Sequence, residues 1–215
     1  MAVSAAALQG LGKTSLDMAT RGRPQENSFN WGIYNYPPFL RLIHFDIEEL
    51  NKENPSLVGL VRCFKKSFEI ATVACILNLL STIIIATTTE APFKWAIQSL
   101  IHLVIIPTVA LAVFYAGYRG LADKDSTLIF RFKVGQPLLA LLYALLAILP
   151  LGCINGLAQL GSIDEHTNGE GSTVWTVFII IESVLWFFNA CIAIFNVVRG
   201  HQYSEYGTTK PLSRV

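Results

Sequence analysis

Four long stretches of apolar residues stand out in a chain that is otherwise ordinarily polar. Each reaches about 20 residues, the length a helix needs to cross roughly 30 Å of hydrocarbon. Lipid offers the backbone no hydrogen bonds, so a spanning segment must be a helix or a barrel strand. These stretches are apolar on every face and too long for barrel strands, which favours helices. The pattern therefore predicts four transmembrane helices, at residues 68–87, 95–118, 134–158 and 173–198.

The connections between the predicted helices are short. They comprise residues 88–94, 119–133 and 159–172. Short links make helices that are neighbours in sequence antiparallel neighbours in space. The expected fold is therefore an all-α integral membrane protein, built as an antiparallel bundle of four transmembrane helices.

Lysine and arginine residues are concentrated before the first predicted helix, between the second and third, and after the fourth. This distribution predicts how the chain is oriented in the membrane. The third connection carries no basic residue, and the first carries only Lys94. Cytoplasmic segments are those enriched in Lys and Arg. Both termini and the middle connection are therefore expected to be cytoplasmic. The residues that carry this pattern are Arg62, Lys65, Lys66, Arg119, Lys124, Arg131, Lys133, Arg199, Lys210 and Arg214.

The segments outside the predicted helices differ in character. Residues 1–30 are polar and unpatterned, which predicts a disordered cytoplasmic tail, and residues 199–215 form a second tail. Residues 31–67 begin with aromatic side chains and a Pro-Pro pair and end with apolar positions at helical spacing among basic ones. That ending predicts either an amphipathic helix or a plain extension of the first membrane helix. The aromatic residues that favour the headgroup layer are Trp31, Tyr34, Tyr36 and Phe39.

Composition agrees with a membrane protein and points away from several other classes. The chain is 53% hydrophobic and 14% charged, whereas soluble domains carry about 25% charged residues. A net charge of +1 gives no field that would attract nucleic acid. The spacing of the cysteines indicates neither a disulfide framework nor a metal site, and no cofactor is expected. The cysteines are Cys63, Cys75, Cys153 and Cys191.

Catalytic motifs are not expected in this chain. Residues 10–15 read GLGKTS, but a phosphate-binding loop needs a glycine where Ala7 stands and a preceding strand. No nucleophile, base and orienting group occur together at a usable depth. The sequence therefore predicts a protein that is not an enzyme.

Glu182 is the most informative single residue, because it interrupts the fourth apolar stretch. His102 interrupts the second stretch at a similar distance from its lumenal end, so both would lie roughly 10 to 14 Å deep and could meet. A buried carboxylate is costly in lipid and normally faces a partner inside the bundle. The pair is either a proton or ion site or an interhelical hydrogen bond. We favour the hydrogen bond, since a relay usually shows more than one acid; Asn78 and Asn189 would add similar contacts.

The middle connection combines basic and aromatic residues. Such a segment beside the cytoplasmic leaflet can bind anionic lipid headgroups, with about 1 kcal/mol from each basic residue. The alternative is that its charges only set the topology. The candidate lipid-binding residues are Arg119, Lys124, Arg131 and Lys133, with Phe130 and Phe132 among them.

Three short motifs, in order around the four helices, resemble the secretory carrier membrane protein family. The resemblance covers about residues 30 to 200. In the tail, an N-P-P-like segment precedes the membrane core; a middle segment contains Arg and Asp-Ser; the last helix contains Glu and closes with Arg-Gly. The matching residues are Asn35 to Phe39 with Leu42 to Ile47, then Phe114 to Arg119 with Ala122 to Thr127 and Phe130, then Glu182-Ser183 and Arg199-Gly200.

The resemblance implies a non-enzymatic protein of post-Golgi carriers that cycles among trans-Golgi, endosomes and plasma membrane. It also links the middle connection to phosphoinositide binding and late membrane fusion. The chain departs from the family in two places: it contains no Asn-Pro-Phe motif for endocytic adaptors, and Gly120 stands where a proline is expected.

The combined expectation is a vesicle-trafficking membrane protein whose partners are anionic lipids and trafficking proteins, with self-association left open. The alternative function is a small transporter, or an accessory subunit of a larger membrane complex, with Glu182 and His102 at its core. The alternative location is the mitochondrial inner membrane.

Overall fold

The computed structural model describes residues 29–88, 92–150, 153–163 and 172–206. Most of the predicted tail at residues 1–30, and residues 207–215, lie outside these ranges. Two compact units divide the chain between Phe45 and Asp46. In the second unit the helices are α1 (Ile47–Glu53), α2 (Pro55–Thr88), α3 (Lys94–Asp123), α4 (Ser126–Ile148) and α5 (Ser172–Tyr206), with a 3₁₀ helix over Leu157–Ser162.

The four long helices α2 to α5 are each long and apolar enough to cross a membrane. They pack as a ring, in which α2 and α4 each lie against both α3 and α5. Apolar side chains face outward along their length, among them Val73, Ile101, Val104, Leu141 and Val184. Water would disfavour so large an apolar surface, whereas lipid does not. The predicted all-α fold with four transmembrane helices is therefore confirmed.

The middle connection is much shorter than the sequence predicted. Only Lys124 and Asp125 separate α3 from α4, and the rest of the connection predicted at residues 119–133 is helical. Lys124 adopts the left-handed conformation that ends α3, with φ at 57°, and its amide donates to the Gly120 carbonyl. The Asp125 side chain then caps α4 by accepting from the amides of Thr127 at 2.8 Å and Leu128 at 3.2 Å. These two opposed caps make the turn tight.

The third membrane helix also ends earlier than predicted. The sequence placed the span at residues 134–158, but α4 runs from Ser126 to Ile148. The apolar stretch continues past that point, but Leu149 is extended because the ring of Pro150 clashes with a helical residue before it. The chain after Pro150 then folds back, and Cys153, Ile154 and Asn155 are buried.

Helix α2 begins before the predicted first span, and α5 ends after the predicted fourth span. The basic stretch before residue 68 belongs to α2 without a break, so it is a direct extension of the first membrane helix. It is also one-sided: Leu57, Val61 and Phe64 are buried while Arg62 is exposed. At the other terminus α5 continues to Tyr206, so the first part of the predicted tail is helical.

The first unit, described from Phe29 to Phe45, contains a small hairpin. Tyr36 and Ile43 pair antiparallel, and their amides and carbonyls bond at 2.9 to 3.0 Å. The Asn35 side chain donates to the Phe45 carbonyl at 3.0 Å and accepts from its amide at 2.8 Å. These bonds fix the two arms of the hairpin at its base.

Candidate functional site

The Glu182 carboxylate lies fully buried in α5 and accepts three hydrogen bonds from side chains. Asn78 Nδ2 donates to Oε2 at 2.9 Å, and Asn155 Nδ2 donates to Oε1 at 3.2 Å. Ser81 Oγ also donates to Oε1. Asn78 and Ser81 are three residues apart in α2, so both lie on the helix face that meets α5. We call Asn78, Ser81, Asn155 and Glu182 the inner polar cluster.

The inner polar cluster also binds the backbone of the segment that folds back after α4. Asn78 Nδ2 donates to the Cys153 carbonyl at 2.7 Å, and Ser183 Oγ donates to the Asn155 carbonyl at 3.2 Å. Trp175 Nε1 donates to Asn155 Oδ1 at 3.0 Å. Non-helical backbone at membrane depth is tolerated only where protein or enclosed water satisfies its polar groups. These contacts provide hydrogen-bond partners for the polar groups of residues 153–163, which we call the returning segment. The inner polar cluster can therefore hold the returning segment in place.

The hydroxyl groups of Thr82 and Ser99 connect α2 to α3 beside the inner polar cluster. Thr82 Oγ1 lies 2.9 Å from Ser99 Oγ and donates to the Asn78 carbonyl at 2.5 Å. The Cys153 carbonyl is 3.4 Å from the same Thr82 hydroxyl. The returning segment is therefore bonded to α2 and α5, and through Thr82 it is connected with α3.

His102 does not meet Glu182, although the sequence suggested that the two could. Its Nδ1 lies 3.2 Å from the Cys153 Sγ, and the side chains that donate to Glu182 come from Asn78, Ser81 and Asn155. Similar depth in two membrane helices brings side chains together only where no other segment supplies the partner. Cys153 belongs to the returning segment, and it bonds to the ring of His102.

Asn189 also lies apart from Glu182. Its Oδ1 accepts a hydrogen bond from Ser67 Oγ of α2 at 2.8 Å. The seven positions between Glu182 and Asn189 correspond to about 10 Å along α5. The structure therefore brings together Glu182 and Asn78 but places His102 and Asn189 in separate contacts.

Three residues of this site were not predicted from the sequence: Ser81, Asn155 and Trp175. Asn155 lies within the predicted third membrane helix, and Trp175 lies within the predicted fourth. Ser81 could have been found, because it follows Asn78 by three positions on the same helix face. No local pattern shows that the chain folds back at Pro150, and the role of Asn155 depends on that reversal.

The predicted lipid-binding residues lie at the end of the bundle where α3 meets α4. We call this the basic end. Lys124 and Arg131 are exposed, and Lys133 is half-buried. Arg119 is engaged within α3: its Nε lies 3.4 Å from an Asp123 carboxylate oxygen and its Nη1 donates to the Tyr115 hydroxyl at 3.1 Å.

The two aromatic residues of the basic end face opposite ways. Phe130 is exposed, whereas Phe132 is buried and its ring lies 4.7 Å from that of Phe64. Gly117 and Gly200 leave room for the Phe132 ring, since a Cβ at either position would collide with it. Phe132 is therefore a packing residue, and Phe130 is the aromatic side chain available to a ligand.

Metal ligation has no support in the parts of the chain that the structure describes. In these ranges no three His, Cys, Asp or Glu side chains are grouped so that they could hold an ion. The chemistry available at the inner polar cluster is hydrogen bonding between neutral donors and one carboxyl group.

The four long apolar helices, which surround the inner polar cluster, identify the chain as a multi-pass membrane protein. A family model narrows that class: the SCAMP family, of secretory carrier membrane proteins, matches residues 33–206. The match takes in all four membrane helices, so the chain belongs to this family of membrane-trafficking proteins. Comparison with curated proteins and with solved structures finds no significant match.

Proposed function

We propose that the chain organises the membrane of post-Golgi and endosomal carriers without catalysing a reaction. Membership of the SCAMP family supports a role in trafficking. The bundle interior supports a scaffold: the polar groups around Glu182 bond to one another and to backbone. In this proposal the protein cycles among trans-Golgi, endosomes and plasma membrane, and its surfaces recruit lipids and trafficking partners.

The basic end faces the cytosol in this proposal, together with both termini. The positively charged residues of α2, α3, α4 and α5 are concentrated there, and Lys94 is the basic residue at the opposite end of the helices. Cytoplasmic leaflets are rich in anionic lipids, so a cytosolic basic end meets a surface of opposite charge.

The observation that carries a lipid-binding role is the exposure of Lys124 and Arg131 beside exposed Phe130. Lys124 lies in the turn, and Arg131 lies between the two phenylalanines in the first turns of α4. Arg119 is expected to contribute less, because Asp123 and Tyr115 already occupy its guanidinium. Lys133 is half-buried, which limits its access to a headgroup.

Binding of a soluble short-chain phosphoinositide to the purified full chain in detergent tests this role. Each exposed cation should contribute about 1 kcal/mol, so Lys124→Gln and Arg131→Gln should each weaken binding about fivefold at low salt. Lys94→Gln removes the same charge at the opposite end and serves as the matched control. Unchanged affinity in the double variant would leave the charges with a topological role alone.

Imaging of a tagged full-length chain tests the compartment. Overlap with trans-Golgi and endosomal markers is the expected result. Overlap with a mitochondrial marker would instead favour the alternative of an inner-membrane subunit, and would count against the carrier role.

A further inference from the structure

The hairpin in the first unit presents its tip to solvent as an apolar surface. Between the paired residues Tyr36 and Ile43, Phe39 is 99% exposed and Leu40 is 66% exposed. Tyr34 and Leu42, on the arms, are also more than half exposed. A fully exposed phenylalanine beside an exposed leucine is an unfavourable arrangement in water, and grouped apolar exposure marks an interaction surface.

The other aromatic residues of this unit are engaged within it. The ring of Trp31 lies 5.5 Å from that of His44, and the ring of Tyr36 lies 5.3 Å from that of Phe45. His44 Nδ1 also lies 2.9 Å from the Ile33 carbonyl. The first unit therefore has a base whose side chains contact one another and a tip whose apolar side chains are exposed.

Few backbone amides of the tip need a hydrogen bond from water. Pro37 and Pro38 have no amide hydrogen, and the amides of Leu40 and Arg41 both donate to the Pro37 carbonyl, at 3.1 and 2.8 Å. Unpaired backbone groups are the main cost when a chain enters an apolar layer. Internal bonding at this turn satisfies the amides of Leu40 and Arg41 and so lowers that cost.

A bilayer surface lies within reach of the tip. Only residues 46–54 separate the unit from α2, which crosses the membrane. At about 1.5 Å per helical residue, α2 exceeds a hydrocarbon core of about 30 Å by roughly 20 Å. Helix α1 and one arm of the hairpin together span about as much, so the tip can return to the membrane surface.

We propose that the hairpin tip, Phe39 and Leu40, inserts into the headgroup layer of the bilayer that the chain itself spans, with exposed Arg41 against lipid phosphates. The combination fits the interface, where aromatic rings and snorkelling cations accumulate. This anchor is independent of the basic end, since it uses other residues and an apolar contact. It would hold the segment before the first membrane helix flat against its own membrane.

The test places an environment-sensitive fluorophore on Leu42→Cys, which leaves Phe39 and Leu40 in place, in the full chain in single-bilayer nanodiscs of phosphatidylcholine. Cys63→Ala and Cys191→Ala remove the two native thiols that are not buried. The matched control carries the fluorophore at Glu48→Cys, an exposed position in α1. Insertion predicts a blue-shifted spectrum at position 42 and strong quenching by lipids with a shallow acyl-chain quencher, and neither effect at position 48.

Two further variants separate the apolar and ionic contributions, with the fluorophore at Leu42→Cys. Phe39→Ser should lower the ratio of inserted to free hairpin about tenfold or more, and Arg41→Gln should lower it about fivefold when phosphatidylserine is added. A position-42 spectrum typical of water in the chain that retains Phe39, with quenching equal to that at position 48, would overturn the proposal. The exposed tip would then be a surface for a protein partner.

Discussion

Both oxygens of the Glu182 carboxyl group accept hydrogen bonds, and the donors have other partners as well. Asn78 Nδ2 is also bonded to the Cys153 carbonyl, and Asn155 Oδ1 is occupied by Trp175. Neither amide can therefore rotate to present its oxygen without losing another hydrogen bond. The two amides therefore present only donors to Glu182, which favours an acceptor at both of its oxygens.

Replacing Glu182 by glutamine should therefore destabilise the bundle although the shape is unchanged. In either orientation the new NH₂ group meets a donor, Asn78 Nδ2 or Asn155 Nδ2. We expect the free energy of unfolding to fall by about 1 to 3 kcal/mol, the cost of an unsatisfied buried donor. Tryptophan fluorescence during unfolding in detergent measures the change.

Glu205→Gln is the matched control, because it makes the same change at an exposed position of the same helix. Its effect should stay within about 0.5 kcal/mol. The competing hypothesis of a proton or ion site predicts another outcome for Glu182→Gln: unchanged stability, together with loss of a flux that proteoliposomes of the unmodified chain would show.

At this scale the sequence was informative about some residues and silent about others. Glu182 and Asn78 could be predicted, because a polar residue in a long apolar stretch must find a partner inside the bundle. The partner of His102 could not, since Cys153 reaches it only through the returning segment. Depth alone cannot distinguish a contact between two helices from a contact that a loop supplies.

The segment after α4 is the element that the inner polar cluster stabilises. Asn155→Ala removes the bonds to Glu182 and Trp175 and should let this segment open more often. Cys153 is 1% exposed, so its thiol reports such opening. We expect a small maleimide to label Cys153 several-fold faster in Asn155→Ala, as followed by mass spectrometry.

Leu160→Ala serves as the control for this labelling experiment, because Leu160 lies in the same segment and is exposed. Its labelling rate should match that of the unmodified chain. Equal rates in Asn155→Ala would mean that packing of Ile154 and Ile163, rather than the polar cluster, holds the segment in place.

The turn between α3 and α4 depends on a glycine. A Cβ at Gly120 would lie 2.9 Å from the Ile129 amide nitrogen and 3.0 Å from the Leu128 carbonyl carbon, and backbone cannot move aside as a side chain can. Gly120→Ala should therefore lower the free energy of unfolding by about 1 to 3 kcal/mol through overpacking. Unfolding in detergent, followed by circular dichroism, measures it.

Gly59 provides the matched control for this substitution, since a Cβ there meets nothing within 4 Å. Gly59→Ala should be neutral or stabilising by up to about 1 kcal/mol, because alanine is the better helix former. Similar stability for the two variants would show that α3 and α4 are less closely packed at this turn than the structure indicates.

The existence of the four helices was predictable, and their ends were not. Length and hydropathy define a span because lipid tolerates no other unpaired backbone. The ends depend on short-range chemistry that an apolar window averages out: the Asp125 cap starts α4 eight residues before its predicted beginning at residue 134, and Pro150 limits it. A capping residue such as Asp125 marks a helix start inside the segment that the charge pattern indicates as a connection.

Over the whole molecule, the outward apolar faces and the distribution of charge define different properties. The apolar faces require a bilayer, whichever way the chain is inserted. The orientation depends on the basic residues, which are concentrated where α3 meets α4 and are represented at the other end of α3 by Lys94. A residue at each end of α3 is therefore sufficient to test the direction of insertion.

Thiol labelling in digitonin-treated cells provides that test, because digitonin opens the plasma membrane and leaves organelles sealed. Thr127→Cys lies just after the turn and is exposed, and Phe93→Cys precedes α3 and is 67% exposed. We expect an impermeant maleimide to label position 127 at once and position 93 only after detergent opens the organelles. The reverse order would place the basic end in the lumen, away from cytosolic lipids and partners, and the proposed function would fail with it.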